Sequence, residues 1–295
     1  MIKADLHIHS NVSDGSSSIE EIIEVAQSKK LDIIAITDHD TTSHFAKIPA
    51  DTRGIIVIPG VELSAICYQS NMRAHILGYD IKEPAVITAL TQPLLEARNE
   101  NSEKQVEVLK SAGFSIDEAK LARADGKYLY KQHIMDWLVT TGQAPDMFGT
   151  FYQKIFKHGG ICDFDIEYLN MFDAVHAIKQ AGGLAVLAHP GKQQNTALIP
   201  KLVHAGLDGL ELNHHTHSEQ DRVAIKDYAW RYDLVLTGGS DYHGRYEPQP
   251  YGIGDFLSPP SGIKALQGHS FLQQVPYLDE GEVCLSWQMA ASPLA

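Results

Sequence analysis

Seven short apolar runs punctuate the chain, at residues 2–9, 31–37, 55–58, 73–79, 184–188, 209–212 and 234–237. Runs of this length, rich in Ile, Val and Leu and bounded by turn-forming residues, predict buried strands. Between them lie stretches with helical spacing of apolar positions. Ile19, Ile22, Ile23 and Ala26 share one helix face, and Ser18 with Glu21 three residues later forms a capping-box pattern at its start. Residues 172–181 read as a helix stopped by Gly182-Gly183, 199–205 as one stopped by Gly206, and 220–232 as a third. Strands alternating with helices predict an α/β protein built on a parallel sheet or barrel. A further strand is expected at 283–287, in the irregular end of the chain.

The alternation stops between residues 91 and 161, where charges are many and no strand-like run occurs. The expected organisation is a barrel formed by 1–90 and 162–295, with 91–161 as a helical insertion covering its pocket.

Composition narrows the function. A chain of 295 residues can bury a large core, and 44% apolar with 21% charged residues is ordinary for a globular protein. The net charge of −13 argues against a general binder of long nucleic acid or of anionic membranes. It leaves room for a small phosphorylated substrate, because bound cations reverse the local sign. Cys67, Cys162 and Cys284 are far apart and form no C-x-x-C pair, which speaks against a disulfide framework or a thiolate zinc site. The start of the chain lacks a signal-peptide apolar region, and no run approaches the ~20 residues that span a bilayer. A soluble, cytoplasmic protein is expected.

The candidate chemistry sits at the ends of the apolar runs. His7 and His9 close the first, and Asp14 follows it; His39 follows the second, Glu62 the third, and His75 lies in the fourth. His189 follows the fifth, and Asp241 and His243 follow the last. In a strand-helix protein the strand ends gather on one face, so these nine residues are expected to meet in one pocket. One ion cannot use nine donors, so two or three divalent ions are expected, with Glu62 as a bridging carboxylate. All donors are N or O, which favours Mn, Fe or Zn. Asp40 is expected to hydrogen-bond a ligating imidazole rather than bind metal. His214 and His215 point apart on a strand, so at most one faces the pocket. His44, His158, His176, His204 and His269 lie away from strand ends and are expected on the surface or in helices. No Walker loop, G-x-G-x-x-G or G-x-S-x-G elbow occurs.

These residues stand in motifs that resemble the PHP (polymerase and histidinol phosphatase) superfamily of metal-dependent phosphoesterases. The motifs are Asp5-Leu6-His7-Ile8-His9-Ser10, Ser13-Asp14-Gly15, Thr37-Asp38-His39-Asp40-Thr41, Gly60-Val61-Glu62-Leu63-Ser64, His75-Ile76-Leu77-Gly78-Tyr79, Ala188-His189-Pro190 and Gly239-Ser240-Asp241-Tyr242-His243-Gly244. The resemblance implies a distorted (β/α)7 barrel with a trinuclear site. It implies His7, His9, Glu62 and Asp241 around one ion, Asp14, His39 and His243 around a second, and Glu62, His75 and His189 around a third. The helical insertion is similar to that of the subgroup that removes phosphate from nucleotides.

The implied activity is hydrolysis of phosphate monoesters of small nucleotides, such as AMP, 3′,5′-bisphosphorylated nucleotides or short RNA ends, by a metal-bridging hydroxide. Arg98, Lys131 and His133 are the expected substrate contacts, and His217 the expected proton donor to the leaving alkoxide. Asn101 and Lys131 stand where related sequences often carry arginine, and lysine lacks the bidentate fork of arginine. The nearest rival activity is that of a histidinol-phosphate phosphatase. Hydrolysis in an amidohydrolase manner, in which a lysine often bridges two metals, and a non-catalytic metal-binding module are the others. No candidate strand ends in lysine, and all nine donor positions are filled.

Overall fold

The computed structural model describes residues 2–247 and 251–267. Ten strands and nine helices are described: β1 (Ala4–Ile8), α1 (Ile19–Ser28), β2 (Ile33–Ile36), β3 (Ile56–Leu63), β4 (Ala65–Cys67), β5 (Met72–Arg73), β6 (Ile76–Tyr79) and α2 (Pro84–Ser111) come first. They are followed by α3 (Lys131–Thr140), α4 (Thr150–Phe156), β7 (Leu169–Asn170), α5 (Met171–Gln180), β8 (Leu184–Leu187), α6 (Pro190–Gln193) and α7 (Ile199–His204). The last are β9 (Gly209–Asn213), α8 (Glu219–Tyr232), β10 (Val235–Gly238) and α9 (Pro260–Gln267). The strand expected at 283–287 lies outside the described residues.

Seven strands form one sheet in the order β1-β2-β3-β6-β8-β9-β10. Its two edges meet. The His9 N–H donates to the Tyr242 carbonyl and the Asp241 N–H to the His7 carbonyl, both at 2.9 Å, and this closes the sheet into a barrel. Closure needs a residue without a side chain at Gly239, where a Cβ would come within 2.4 Å of the His7 backbone. The α/β barrel expected from the sequence is the fold observed.

Its distortion has a local cause. After β3 the chain continues through β4, turns back in β5 and returns as β6, with no crossover helix. A connection that short permits only antiparallel pairing, and β6 is antiparallel to both β3 and β8. The run expected as one strand at 73–79 is therefore split between two sheets, with β5 beside β4 in a three-stranded sheet. The third run is longer than expected, and Glu62 sits inside β3 opposite Leu77 rather than beyond the strand end.

The helices cover the barrel as their sequences dictate. In α1, the Ser18 hydroxyl accepts from the Glu21 N–H, and the Glu21 carboxylate accepts from the Ser18 N–H. Such a cap contributes about 1 kcal/mol, less than burial of Ile19, Ile22 and Ile23 at about 1.5–3 kcal/mol each. The insertion has an apolar cluster of its own, including Val106, Leu109, Ile134, Leu138 and Phe156. The boundary expected at residue 91 falls inside α2. Ile87 at one end of that helix packs into the barrel core, and Val106 and Leu109 pack into the insertion. Among the described residues no helix is long and apolar enough to cross a membrane.

Candidate metal centre

All nine residues expected as donors converge at one end of the barrel. His7 lies in β1 and His9 just after it; His39 follows β2; His189 follows β8; Asp241 and His243 follow β10. His75 precedes its strand instead of following it. Because β6 runs antiparallel, its start lies on the face where its neighbours end.

Glu62 is the hub. Its Oε1 lies 2.9 Å from His75 Nδ1 and 3.0 Å from His189 Nε2. Its Oε2 lies 3.1 Å from Nε2 of both His7 and His9, and 3.4 Å from His39 Nε2. Asp241 Oδ1 closes on the same imidazoles, 3.3 Å from His7 and 3.4 Å from His9. Asp14 lies 3.5 Å from His243 and 3.9 Å from His39. Donor atoms thus gather in three overlapping sets, His7-His9-Glu62-Asp241, His9-Asp14-His39-His243 and His39-Glu62-His75, each within 4.8 Å. A fourth set adds Glu247 to Asp241 and His243, and the sequence reading did not single Glu247 out.

The donor chemistry fits divalent cations. Both ring nitrogens of His9 and Nδ1 of His189 are buried without a hydrogen-bond partner among the described residues. His9 Nε2 approaches two carboxylate oxygens yet lacks hydrogen-bond geometry to either, so the nitrogen faces the space between them. Unsatisfied buried nitrogen is costly, and a coordinated ion removes that cost.

The charges are set accordingly. Burial alone would raise the Glu62 carboxyl, but His39, His7 and His75 hold it well below the usual carboxylate range. Burial likewise opposes the charge of Asp241, while Lys192 and His7 hold it well down. Burial pushes His39 down to about 4 and His189 to about 3, leaving neutral rings with available lone pairs.

Neighbours aim these donors. Glu211 was not foreseen, since it lies mid-strand in β9. Its Oε1 lies 3.0 Å from His7 Nδ1, and its Oε2 accepts from the His189 N–H at 2.8 Å. His189 has φ of 27°, a strained conformation which that bond helps to hold. His214 Nδ1 accepts from the Thr216 N–H, leaving Nε2 to donate to Asp241 Oδ2 at 3.1 Å. Lys192 donates to the same oxygen at 2.7 Å, so Oδ1 is the atom turned inward. Gln132 donates to Asp14 Oδ2 at 2.7 Å. His44 sits in a short 3-10 helix, Ser43–Lys47, one of the two placements expected, and is buried between the Ile36 carbonyl and Asp38.

Asp40 does not touch an imidazole as expected. Its Oδ1 accepts from the Ser64 N–H at 2.7 Å and its Oδ2 from Arg98 at 2.6 Å, and it is the Ser64 hydroxyl that lies 3.4 Å from His39 Nδ1. Arg98 also lies over the Tyr130 ring, 5.1 Å from its centroid. Arg98 and Lys131 border a cavity of about 240 Å³ that also contains Ser64 and His75, so it opens onto the metal-binding side chains. Arg73, Lys157, Asp165 and Tyr168 line it as well, and the sequence reading missed all four. His133 does not line this cavity. Its Nδ1 accepts from the Tyr130 N–H, and the buried ring packs between Tyr130 and Tyr246.

His217 is also placed differently from expectation. Nδ1 donates to the Leu212 carbonyl at 2.9 Å and Nε2 accepts from the Gly191 N–H at 3.2 Å. Both ring nitrogens are engaged by backbone, so no proton is free to reach a leaving group. His217 braces the loop after His189.

Comparison with known proteins agrees with this architecture. The chain matches the PHP domain family over residues 5–186 and belongs to it. It is 41% identical to phosphoribosyl 1,2-cyclic phosphate 1,2-diphosphodiesterase of Eggerthella lenta, over 84% of this chain and 96% of the relative. It is 32% identical to the 3′,5′-nucleoside bisphosphate phosphatase of Chromobacterium violaceum, over 82% and 88%. Among solved structures, a Bifidobacterium adolescentis protein described as a metal-dependent phosphoesterase superposes with a TM-score of 0.81 at 26% identity, covering 90% of this chain and 95% of that one.

Proposed function

We propose that the protein is a metal-dependent phosphoesterase that hydrolyses phosphate monoesters of small nucleotides carrying two phosphate groups, such as 3′,5′-bisphosphorylated nucleosides. One observation carries this reading: a cavity with four cationic side chains opens directly beside His75 and the carboxylate-imidazole cluster. One phosphate then meets the cluster while a second lies among the cations. His7, His9, Glu62 and Asp241, with Asp14, His39, His243, His75 and His189, would hold two or three ions of Mn, Fe or Zn. Such ions, when bound, supply Lewis acidity toward phosphoryl oxygen and lower the pKa of water.

The chain's own groups do the rest. Glu62, with five imidazoles around its two oxygens, would be the carboxylate shared between ions. Burial of the cluster lowers the local dielectric and strengthens every charge interaction with the reacting phosphate. Arg98 is held by Asp40 and Ser64 at the seam of cavity and cluster, where its guanidinium can neutralise a non-bridging oxygen. Lys131 offers a point charge from the start of α3. Lys192 touches the cluster directly, donating to Asp241 Oδ2 at 2.7 Å.

A second reading is favoured by the 41% identity to the E. lenta enzyme and by Asn101 and Lys131 standing where arginines are often found: a phosphoribosyl cyclic phosphate as substrate. Initial rates of substrate consumption separate the two, since opening a cyclic ester releases no phosphate. The metal-reconstituted enzyme should prefer adenosine 3′,5′-bisphosphate over AMP, histidinol phosphate and phosphoribosyl 1,2-cyclic phosphate. Preference for the cyclic ester selects the second reading, and no turnover with Mn, Fe or Zn on any of the four overturns both.

A further inference from the structure

Among the described residues, Asp165 is the one carboxylate lining a cavity that holds Arg73, Arg98, Lys131 and Lys157. It lies in the segment between α4 and β7, with its side chain partly open to solvent. Oδ2 accepts from Arg73 Nη2 at 2.9 Å, while Oδ1 accepts from the Tyr168 hydroxyl at 2.9 Å and lies 3.7 Å from Lys131 Nζ. The Arg73 guanidinium is stacked 4.0 Å above the Tyr168 ring. A single carboxylate thus stands where cations converge, and it neutralises only part of their charge. Burial lowers the Lys131 pKa; Asp165 opposes that shift, and Lys157, Arg98 and Arg73 add to it.

We propose that Asp165 is a built-in stand-in for the non-reacting phosphate of a doubly phosphorylated substrate, and so sets selectivity between bisphosphorylated and monophosphorylated substrates. This rests on the phosphoesterase reading above. A phosphate dianion carries twice the charge of the carboxylate and offers three free oxygens to Arg73, Lys131 and Lys157. A partly exposed ion pair is weak enough to exchange, so the resident carboxylate yields to the incoming group. Asp165 then tempers the preference: a second phosphate must displace it before meeting the cavity's cations, while a substrate with one phosphate, held at the cluster, meets neither.

The test compares wild type with Asp165→Asn and Arg73→Gln. Asparagine keeps an oxygen for the Ile166 N–H and the Tyr168 hydroxyl while removing the charge. Two measurements are made: kcat/KM of the metal-loaded enzymes on adenosine 3′,5′-bisphosphate and on AMP, and calorimetric binding of the bisphosphate to the metal-free proteins. Asp165→Asn should lower KM and Kd for the bisphosphate by about threefold, the scale of one exposed ion pair, and leave AMP unchanged. Arg73→Gln should weaken bisphosphate binding by a similar factor. Equal effects on both nucleotides, or weaker bisphosphate binding by Asp165→Asn, would mean that Asp165 merely fastens its loop and would overturn the proposal. If wild type hydrolyses neither nucleotide yet Asp165→Asn still tightens bisphosphate binding, the nucleotide-substrate reading fails while the role of Asp165 in phosphate binding stands.

Discussion

The Nδ1 atom of His7 lies 3.0 Å from Oε1 of Glu211, a carboxylate 204 residues further along the chain and fully buried. Burial opposes the charge on both groups. Even so, Glu211, Asp241 and Glu62 raise the His7 pKa well above its usual value, while His7 holds Glu211 low. A cation bound beside Glu62 and Asp241 would take the place of the Nε2 proton, leaving Nδ1–H to donate to Glu211. Such partners typically contribute 10–100-fold in metal affinity. Glu211→Gln keeps the shape and removes the charge, and it should weaken metal binding by about tenfold or more in a competition titration with a chromogenic chelator. Unchanged affinity would show that Glu211 only holds the strained His189 backbone.

Loss of metal should cost stability as well as activity. The donor set brings five imidazoles against one carboxylate, a cluster that a cation stabilises in the folded chain alone. Ligand at 100 times its Kd adds about 2.7 kcal/mol, which for a chain of this size raises Tm by roughly 5 °C. Dialysis against a chelator should abolish phosphate release and lower Tm by that order, and Mn, Fe or Zn should restore both. A chelated protein with full turnover would refute the metal-dependent account.

His217→Ala separates bracing from proton transfer. The substitution leaves the Leu212 carbonyl and the Gly191 N–H without partners, at about 1–3 kcal/mol for a buried polar group. Thermal stability should fall while kcat at saturating substrate stays within about twofold of wild type, because neither ring nitrogen was free to act. A loss of kcat by a hundredfold or more, with the basic limb of the pH profile removed, would restore the proton donor to His217.

The donors were legible in the sequence because strand ends share a face, and that rule depends only on the alternation of runs. It broke where direction changed. His75 is brought in by the start of an antiparallel strand, and nothing in its run of apolar residues signals the reversal at Ser70–Asn71. Glu211 was invisible for a related reason. A carboxylate inside an apolar run reads as an outward-facing residue, yet β9 turns it into a closed barrel whose interior is polar at this end. Arg73 lies in a two-residue strand far in sequence from Lys157 and Asp165 on the loop after α4, so only the folding of these segments together reveals the cavity.

His133 gives the protein a specific acid sensitivity. The ring is buried between Tyr130 and Tyr246, and burial pushes its pKa from the usual 6.5 to about 4. Between those values the unfolded chain takes up a proton that the folded chain refuses. The stability tied to the neutral ring is therefore complete above pH 6.5 and is lost progressively as pH falls to 4, by at most about 3 kcal/mol. Glutamine at this third helical position can still accept from the Tyr130 N–H, as in an ordinary capping box, but cannot titrate. His133→Gln should thus show a shallower fall in unfolding free energy between pH 6.5 and 4 than wild type when both are unfolded by urea. Parallel acid limbs in the two proteins would mean that the buried ring is not the group that takes up the proton.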